Sequence, residues 1–382
     1  MTRDTLLIVT TSYPQRADGS EAAGAFVADL AESLALRMSV RVVAPGKAAG
    51  DEGQRGSVRI RRFSSPGRPL SLLSPARPSD WPAIVGTLRS LRAQTLAAAD
   101  DGRVAHTLAL WALPSGWAAA ALQQQQGVPY SVWALGSDIW SLGRIPGVRA
   151  VLRKVVRRAS NRFADGLQLA EDAAAIGGKP FEFLPSTRRL DGKRTRPLAT
   201  APPYRLLFLG RWHPNKGIDL LLDALTLLDD SSWERIAEVH IAGGGPMENL
   251  VRERIAALNA FRRPVRFSGF LDRSQATIAL AEADYLLLPS RIESIPVVFS
   301  DAMKMQLPVI SMPVGDLPAL NMQYDVGIVA TRVDSSSFAE AIEMTLNRSP
   351  VSFLAGIDKC VHGFSLDTQW LCTRLKLRNA PE

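Results

Sequence analysis

The chain of 382 residues has only two cysteines, Cys360 and Cys372, and four histidines. Two thiols cannot build a disulfide framework, and so few soft ligands leave no four-ligand zinc site, so a reducing cytosol fits and a structural metal does not. Aromatic residues make up 7% of the chain and are nowhere interleaved with basic ones, which argues against nucleic acid as the partner. Long apolar runs are scarce as well. Near the N-terminus Leu6-Leu7-Ile8-Val9 is too short for the core of a signal peptide and gives way at once to a polar turn. Residues 104–122 carry no charge, yet His106, Thr107 and the Pro114-Ser115-Gly116 turn read as a buried strand, a turn and an Ala-rich helix rather than a membrane span.

Acid is also in deficit: Lys and Arg outnumber Asp and Glu by 45 to 37, a net charge of +8. That excess suggests an anionic partner, and with nucleic acid unmarked the remaining classes are anionic lipid and phosphorylated small molecules. With 46% hydrophobic and 21% charged residues, the chain is neither disordered nor collagen-like. Its length allows about two full domains.

Short apolar runs alternate with amphipathic helical stretches, the pattern of parallel βαβ units. Residues 6–10 read as a strand, 25–36 as a helix with Phe26, Val27, Leu30 and Leu34 at helical spacing, and 39–44 as a second strand. The Gly-, Pro-, Ser- and Arg-rich segment 46–82 reads as a solvated loop with one strand near 58–63, the alternative being a basic binding arm. Further on, 130–134 reads as a strand and 145–163 as a long helix. Residues 185–203 are polar, basic and punctuated by proline, the composition of an interdomain linker. Beyond it βα alternation restarts with strands near 204–209, 239–242, 265–268, 285–288 and 308–311. The simplest parse is an N-terminal Rossmann-like domain over 1–194 and a C-terminal one over 195–363.

Chemistry-bearing residues cluster after these strands. Gly210-Arg211-Trp212-His213-Pro214-Asn215-Lys216-Gly217 leads into the helix 218–228, and ligands of open α/β sheets sit at the carboxyl ends of strands. Arg211 and Lys216 beside a helix N-terminus can clamp a diphosphate, although two basic loop residues taken alone are more often simply solvated. Gly243-Gly244-Gly245-Pro246 follows another strand, and glycine there lets backbone amides approach a phosphate; a plain tight turn is the alternative. The stretch from Pro289 to Ile310 carries Glu293 on a loop and, eight positions later, Asp301 on a helix. Carboxylates accept hydrogen bonds from vicinal sugar hydroxyls, and the amides of Ser294, Ile295 and Pro296's neighbourhood can meet a phosphate. A surface Glu and a helix-capping Asp would look the same.

The order of these segments resembles retaining glycosyltransferase family four. Residues 289–310 look like its E-x7-E signature, 210–217 its G-R-x(4)-K-G clamp and 241–246 its G-x-G-P turn. In the N-terminal half, Trp111-Ala112-Leu113-Pro114-Ser115-Gly116, Gly136-Ser137-Asp138-Ile139, and Tyr13-Pro14 with Gly24-Ala25-Phe26-Val27 match segments common in its bacterial members. The resemblance implies an α/β protein of GT-B fold, two facing Rossmann-like domains with a cleft between them, and a C-terminal helix within 364–382 returning to the first domain. It further implies Arg211, Lys216 and Glu293 as catalytic residues. Gly210, Gly243, Gly245, Ser294, Ile295, Pro296 and Asp301 would bind the donor, and Gly24, Gly136, Ser137 and Asp138 would lie on the acceptor side. The implied co-substrate is a nucleotide-diphosphate sugar, with no metal or other cofactor. The implied acceptor is a glycan or lipid-linked molecule in cell-surface polysaccharide or glycolipid synthesis.

The chain departs from the family pattern at several positions. Asp301 replaces the second Glu and is shorter by one C–C bond, about 1.5 Å, and Ser294 replaces a Gly. Leu135 stands where many members have His, Leu108 and Leu110 where an H-x-H-W sequence is common, and Pro185-Ser186-Thr187-Arg188 replaces a P-N-G-V-D turn. The competing reading is therefore a degenerate member that binds a nucleotide sugar or a partner without transfer. Finally, residues 144–162 hold seven basic residues (Arg144, Arg149, Arg153, Lys154, Arg157, Arg158, Arg162) and no acid. They are either an ordinary solvated helix face or a surface for anionic lipid. The expected location is the cytoplasm, on the inner face of the plasma membrane if that surface binds lipid.

Overall fold

The computed structural model describes residues 4–15, 24–65, 70, 73–75, 77–190 and 192–377. They divide into two units, one formed by residues 1–15, 21–185 and 366–382, the other chiefly by 186–365.

In the first unit an eight-stranded sheet has the order β3-β4-β2-β1-β5-β6-β7-β8. The strands are β1 (Thr5–Val9), β2 (Ser39–Gly46), β3 (Glu52–Arg55), β4 (Val58–Ser64), β5 (Val104–Leu110), β6 (Tyr130–Ala134), β7 (Arg162–Ala164) and β8 (Glu182–Phe183). All neighbours are parallel except β3, which pairs antiparallel with β4. Segment 46–82 thus holds two strands rather than one; β3 is an exposed polar edge, the kind of edge that discourages pairing with another chain. β1 is buried throughout because helices cover both faces of a parallel sheet. Those helices are α1 (Ala25–Ala35), α2 (Trp81–Ala97), α3 (Ser115–Gln126), α4 (Ser137–Trp140), α5 (Pro146–Arg158) and α6 (Leu167–Gly177). The uncharged stretch 104–122 is accordingly β5, a turn and most of α3. Helix α5 stops five residues short of the expected end. Ala159 is extended, the Ser160 amide donates to the Tyr130 carbonyl, and Phe163 is consumed as a buried residue of β7.

The second unit contains a six-stranded, wholly parallel sheet of order β11-β10-β9-β12-β13-β14. Its strands are β9 (Tyr204–Arg211), β10 (Ile236–Gly244), β11 (Val265–Ser268), β12 (Tyr285–Leu288), β13 (Val309–Ser311) and β14 (Gly327–Val329). Counted from β9 this is the 3-2-1-4-5-6 order of the Rossmann fold, whose order reverses between β9 and β12. Around it lie α7 (Ile218–Leu227), α8 (Asp230–Glu234), α9 (Glu248–Ala260), α10 (Arg273–Glu282), α11 (Val297–Lys304), α12 (Leu317–Tyr324), α13 (Ser335–Leu346) and α14 (Leu354–Cys360).

The segment read as a linker is tied to the second unit. Arg194 donates to the carbonyls of Met305, Leu280, Ala281 and Ala283 at 2.8–3.1 Å. Fully buried Asp284 receives Arg196, the Ala199 amide and the Arg205 amide. The chain passes between the units after Pro185, earlier than composition placed the boundary, because such polar side chains have specific partners. Near the other end, α15 (Thr368–Arg374) takes up part of the stretch 364–382, and the Asp367 carboxylate caps its start by accepting the Trp370 amide at 2.8 Å. Trp370 meets Phe163 edge-on at 5.9 Å, and Asn161 donates to the Arg374 carbonyl at 3.0 Å, both contacts within the first unit.

Candidate functional site

Ligands of doubly wound sheets gather at the carboxyl ends of the strands where the order reverses. In the second unit those strands are β9 and β12. The loop after β9 tightens into a short turn over 214–216, which His213 caps by accepting the Asn215 amide at Nδ1, 3.2 Å away. Gly217 follows with φ +66, and a Cβ there would lie 1.8 Å from the Pro289 carbonyl oxygen, so only glycine lets the two loops meet. Arg291 fastens them. Its amide donates to the Asn215 carbonyl at 2.8 Å, and its guanidinium reaches the Pro214 carbonyl at 2.7 Å and both Asp219 carboxylate oxygens at 2.7 and 2.6 Å.

This clasp brings together two of the expected residues, Lys216 and Glu293, which form an ion pair although 77 positions separate them. Arg211, the last residue of β9, is exposed and makes no ion pair among the described residues. His213 lies beside both cations. Burial first, then the charges of Arg211 and Lys216, hold its imidazole below the usual histidine range, so it is neutral at pH 7. Uncompensated positive charge next to a neutral imidazole at a strand end suits an anionic ligand.

Gly243 and Gly245, at and just past the end of β10, have φ of +147 and +148. A Cβ on Gly243 would sit 1.9 Å from the Gly210 carbonyl oxygen, and one on Gly245 would sit 2.7 Å from the Trp212 carbonyl oxygen. Their missing side chains therefore first admit the backbone of 210–212 and shape the Arg211 loop. Gly210 itself is under no such demand: its Cβ would meet only the Phe208 ring, at 3.5 Å.

Beyond Glu293, Ser294 and Ile295 are buried and Pro296 precedes the first turn of α11. The Ser294 carbonyl accepts the Asp316 amide at 3.2 Å. Asp301 is fully buried on α11 and pairs with Arg188, whose Nε lies 2.9 Å from Oδ2. The second carboxylate of the motif is thus directed at a guanidinium from the replaced P-S-T-R turn. The same turn is bound by Lys304, which donates to the Thr187 hydroxyl and, at 2.7 Å, to the Arg188 carbonyl, and by Ser300, 2.6 Å from the Thr187 hydroxyl. Arg188 stood out in the sequence only as part of a turn that departs from the family pattern, and Arg291 not at all. An arginine at the end of a polar segment becomes legible only when its carboxylate partner is in view.

In the first unit, counting β4 as the third strand, the order likewise reverses, between β1 and β5. Gly24 lies against the loop after β1, where its Cβ would be 2.7 Å from the Tyr13 amide nitrogen. After β5, Trp111 has φ +64, a left-handed backbone rare for so large a residue, and its ring is 6.3 Å from that of Phe26. Gly136 has φ +100 and opens α4, with Ser137 exposed and Asp138 wholly buried. The Asp138 carboxylate accepts the Ala112 amide at 2.6 Å and the Leu135 amide at 3.2 Å, so it joins the loops after β5 and β6. Burial, only partly offset by these backbone bonds, pushes its pKa up to about 6. Leu135 is half-buried and contributes its amide rather than a polar side chain.

Among the described residues no group of three or more His, Cys, Asp or Glu could hold a metal ion, and no helix is long and apolar enough to cross a membrane. Two family models match the chain: "Glycosyl transferase 4-like domain" over residues 21–185 and "Glycosyl transferases group 1" over residues 203–348. Among curated proteins the chain is 26% identical over 243 residues to TuaC of Bacillus subtilis, a glycosyltransferase named for teichuronic acid biosynthesis, covering 61% of this chain and 59% of that one. It is 30% identical over 173 residues to a D-inositol 3-phosphate glycosyltransferase of Jonesia denitrificans, covering 42% and 40%. The chain thus spans about three fifths or less of the length of these relatives. Among solved structures, HepE of Anabaena in complex with UDP superimposes with a TM-score of 0.70 at 18% identity, over 98% of this chain and 99% of that one, and so shares its GT-B fold. The two family matches together take in most of both units, and the chain belongs to the group 1 glycosyl transferases.

Proposed function

We propose that the protein transfers a glycosyl group from a nucleotide-diphosphate sugar to a glycan or lipid-linked acceptor, with retention of anomeric configuration. The observation that carries this reading is the Lys216–Glu293 pair beside Arg211, which has no ion-pair partner among the described residues, at the reversal point of the second sheet. A diphosphate leaving group gains negative charge as the C1–O bond breaks, and preorganised cations stabilise such charge most where water is scarce. Arg211 and Lys216 take this role, without a metal ion. Glu293, already held by Lys216, receives hydroxyls of the transferred sugar. The amides from Ser294 to Pro296's end of α11 face the phosphates, with Gly210, Gly243 and Gly245 shaping the loop beside them, and Asp301 serves the nucleoside side from one turn further along the helix.

In the transfer step the acceptor oxygen bonds to C1 on the face the leaving group departs from. The C1–O electron pair goes to the diphosphate oxygen, and the acceptor proton follows it. A histidine at position 135 is not needed for that proton balance. Gly24, Gly136, Ser137 and Asp138 lie on the acceptor side, with Asp138 holding the loops there. Likeness to TuaC supports a place in cell-surface polysaccharide or glycolipid synthesis, and HepE, crystallised with UDP, supports a nucleotide-sugar donor. Hydrolysis and transfer assays across UDP-, GDP- and ADP-sugars with added EDTA test the reading. Donor turnover that survives EDTA and is lost in Arg211→Ala and Lys216→Ala is expected.

The second reading, a protein that binds a nucleotide sugar without transfer, is favoured by Leu135 alone. Nucleotide binding with no turnover of any donor would establish it. The acceptor side also offers a membrane contact. On α5 the exposed face presents Lys154, Arg157 and Arg158 with half-exposed Val151 and no acid, while Leu152, Val155 and Val156 are buried. Each cation near an anionic bilayer contributes about 1 kcal/mol, which would place the protein on the inner face of the plasma membrane. Co-sedimentation with anionic but not neutral liposomes is the expected result.

A further inference from the structure

His213 stands between the two cations of the second site, after Arg211 and before Lys216, and its backbone ties them together. Its amide donates to the Arg211 carbonyl at 3.0 Å, and its carbonyl accepts the Lys216 amide at 2.9 Å. The imidazole makes a single hydrogen bond among the described residues: Nδ1 accepts the Asn215 amide at 3.2 Å. Nε2 has no partner there and is not sealed from solvent, since the residue is only half-buried. One ring nitrogen is thus spent on the turn over 214–216, and the other is left to whatever enters the site.

The Asn215 bond decides where the ring hydrogen is. A nitrogen that accepts an N–H carries no hydrogen of its own, and a neutral imidazole has only one, so it sits on Nε2. The ring stays neutral at pH 7 because burial, then the charges of Arg211 and Lys216, oppose a second proton. That proton would also have to go on Nδ1 and break the Asn215 bond. The nearby carboxylates do not offset the cations at the ring: Glu293 is taken by Lys216 and Asp219 by Arg291. His213 therefore presents an uncharged N–H donor beside two positive side chains. A third cation in this loop would be repelled by the other two, whereas a neutral donor adds a hydrogen bond to an anion without that repulsion.

We infer that His213 is a third, uncharged ligand of the donor diphosphate, giving its Nε2–H to a phosphate oxygen, and that the Asn215 amide fixes the tautomer that lets it do so. This rests on the donor-site reading given above. Two substitutions separate the two ring nitrogens. In His213→Asn, Oδ1 takes the place of Nδ1 as acceptor for the Asn215 amide, but no donor reaches as far as Nε2. In His213→Gln, the side-chain amide nitrogen reaches toward the Nε2 position, but the acceptor for Asn215 is lost.

The test is calorimetric titration of the full chain with UDP, GDP and ADP and with inorganic pyrophosphate, the thermal midpoint being followed in parallel. His213→Asn is expected to weaken the tightest-binding nucleotide and pyrophosphate alike by about tenfold or more, the loss of one hydrogen bond to a charged group, with the midpoint unchanged. His213→Gln should keep affinity within about threefold of the unaltered protein while lowering the midpoint, because a donor remains and the turn loses its cap. Unaltered affinity in His213→Asn overturns the inference: the ring would be a turn cap alone, with the donor site still standing. A loss in His213→Gln as large as that in His213→Asn also overturns it, since a donor at that position would not be what the anion needs. If the unaltered protein binds none of the three nucleotides, the donor-site reading falls and takes the inference with it.

Discussion

Both sheets reverse their strand order at the same topological point, yet the loops there are built from opposite materials. After β9 and β12 the second unit gathers charge: Lys216 on Glu293, Arg291 on Asp219, and Arg211 with no ion pair among the described residues. After β1 and β5 the first unit has Tyr13, with the Arg62 guanidinium 5.7 Å from its ring centroid, and Trp111, and the buried Asp138 after β6 accepts backbone amides from the loops after β5 and β6. Shared topology supplies an address for a ligand, and the side chains decide which chemistry is housed there. On the donor reading proposed above, a site that meets a diphosphate carries its countercharge in advance.

The comparison breaks most severely if the charges of the second site are unimportant. Replacing Lys216 by Ala should lower kcat/KM for the donor by about 100- to 1,000-fold, the usual effect of deleting one preorganised donor to a developing anion. Ser137→Ala in the first unit should leave donor affinity unchanged. Comparable losses in both variants would erase the division of labour.

Next in size is Asp138. Asp138→Ala orphans the buried Ala112 amide, at about 1–3 kcal/mol, and the half-buried Leu135 amide at less, and a fall in midpoint on urea unfolding, with the second unit's exchange protection unchanged, is the expected signature. Full stability in that variant would show the two loops to be held some other way. The glycines of the second site offer a finer contrast. Gly243→Ala forces a Cβ into the Gly210 carbonyl at a positive φ and should cost at least about 2 kcal/mol, whereas Gly210→Ala should cost less than about 1. Equal thermal shifts would contradict the close approach of the two strands.

The smallest effect concerns acid. Burial depresses His106 of the first unit and His240 of the second to about 4. A histidine depressed in the folded state binds fewer protons than in the unfolded chain, so stability declines as pH falls below 6.5 and the loss is complete below 4. Asp138, raised to about 6, has the opposite sign: the folded chain binds the extra proton, so stability is gained as pH falls from 6 toward 3.8. Each of His106 and Asp138 amounts to about 3 kcal/mol at 1.36 kcal/mol per unit, and these two offset, leaving in the first unit the acid loss of Asp101, held at about 2 by Arg41 and discounted because its carboxylate is solvated. In the second unit His240 and His213 have no such counterweight, and Asp219, held low by Arg291, adds to the loss in acid. Hydrogen exchange at pH 7 and pH 4.5 should therefore show the second unit loosening first; simultaneous loosening would contradict the offset.

Much of this was legible in one dimension. Alternating apolar runs announced β1, β9, β10 and β12, and the order of motifs placed Arg211, Lys216 and Glu293 on the loops after β9 and β12, with Asp301 on the helix that follows. Local patterns report which face of an element is buried, since that depends on neighbours a few residues away. They failed where the deciding partner was distant. The segment at 185–203 looked like a linker because its arginines have carbonyl and carboxylate partners from 280 to 305, and 145–163 looked like one helix because the strand that claims Phe163 is not adjacent in sequence.

The sequence by itself determined two βαβ sheets, the order of the motifs and the residue types available for phosphate and sugar chemistry. Only the tertiary structure decided that Lys216 neutralises Glu293, that Arg188 crosses 113 positions to occupy Asp301, and that Gly243 and Gly245 admit backbone. The physical reason is that hydrophobic periodicity is encoded locally, whereas the pairing of charges and the close approach of backbones depend on chain closure over loops of any length.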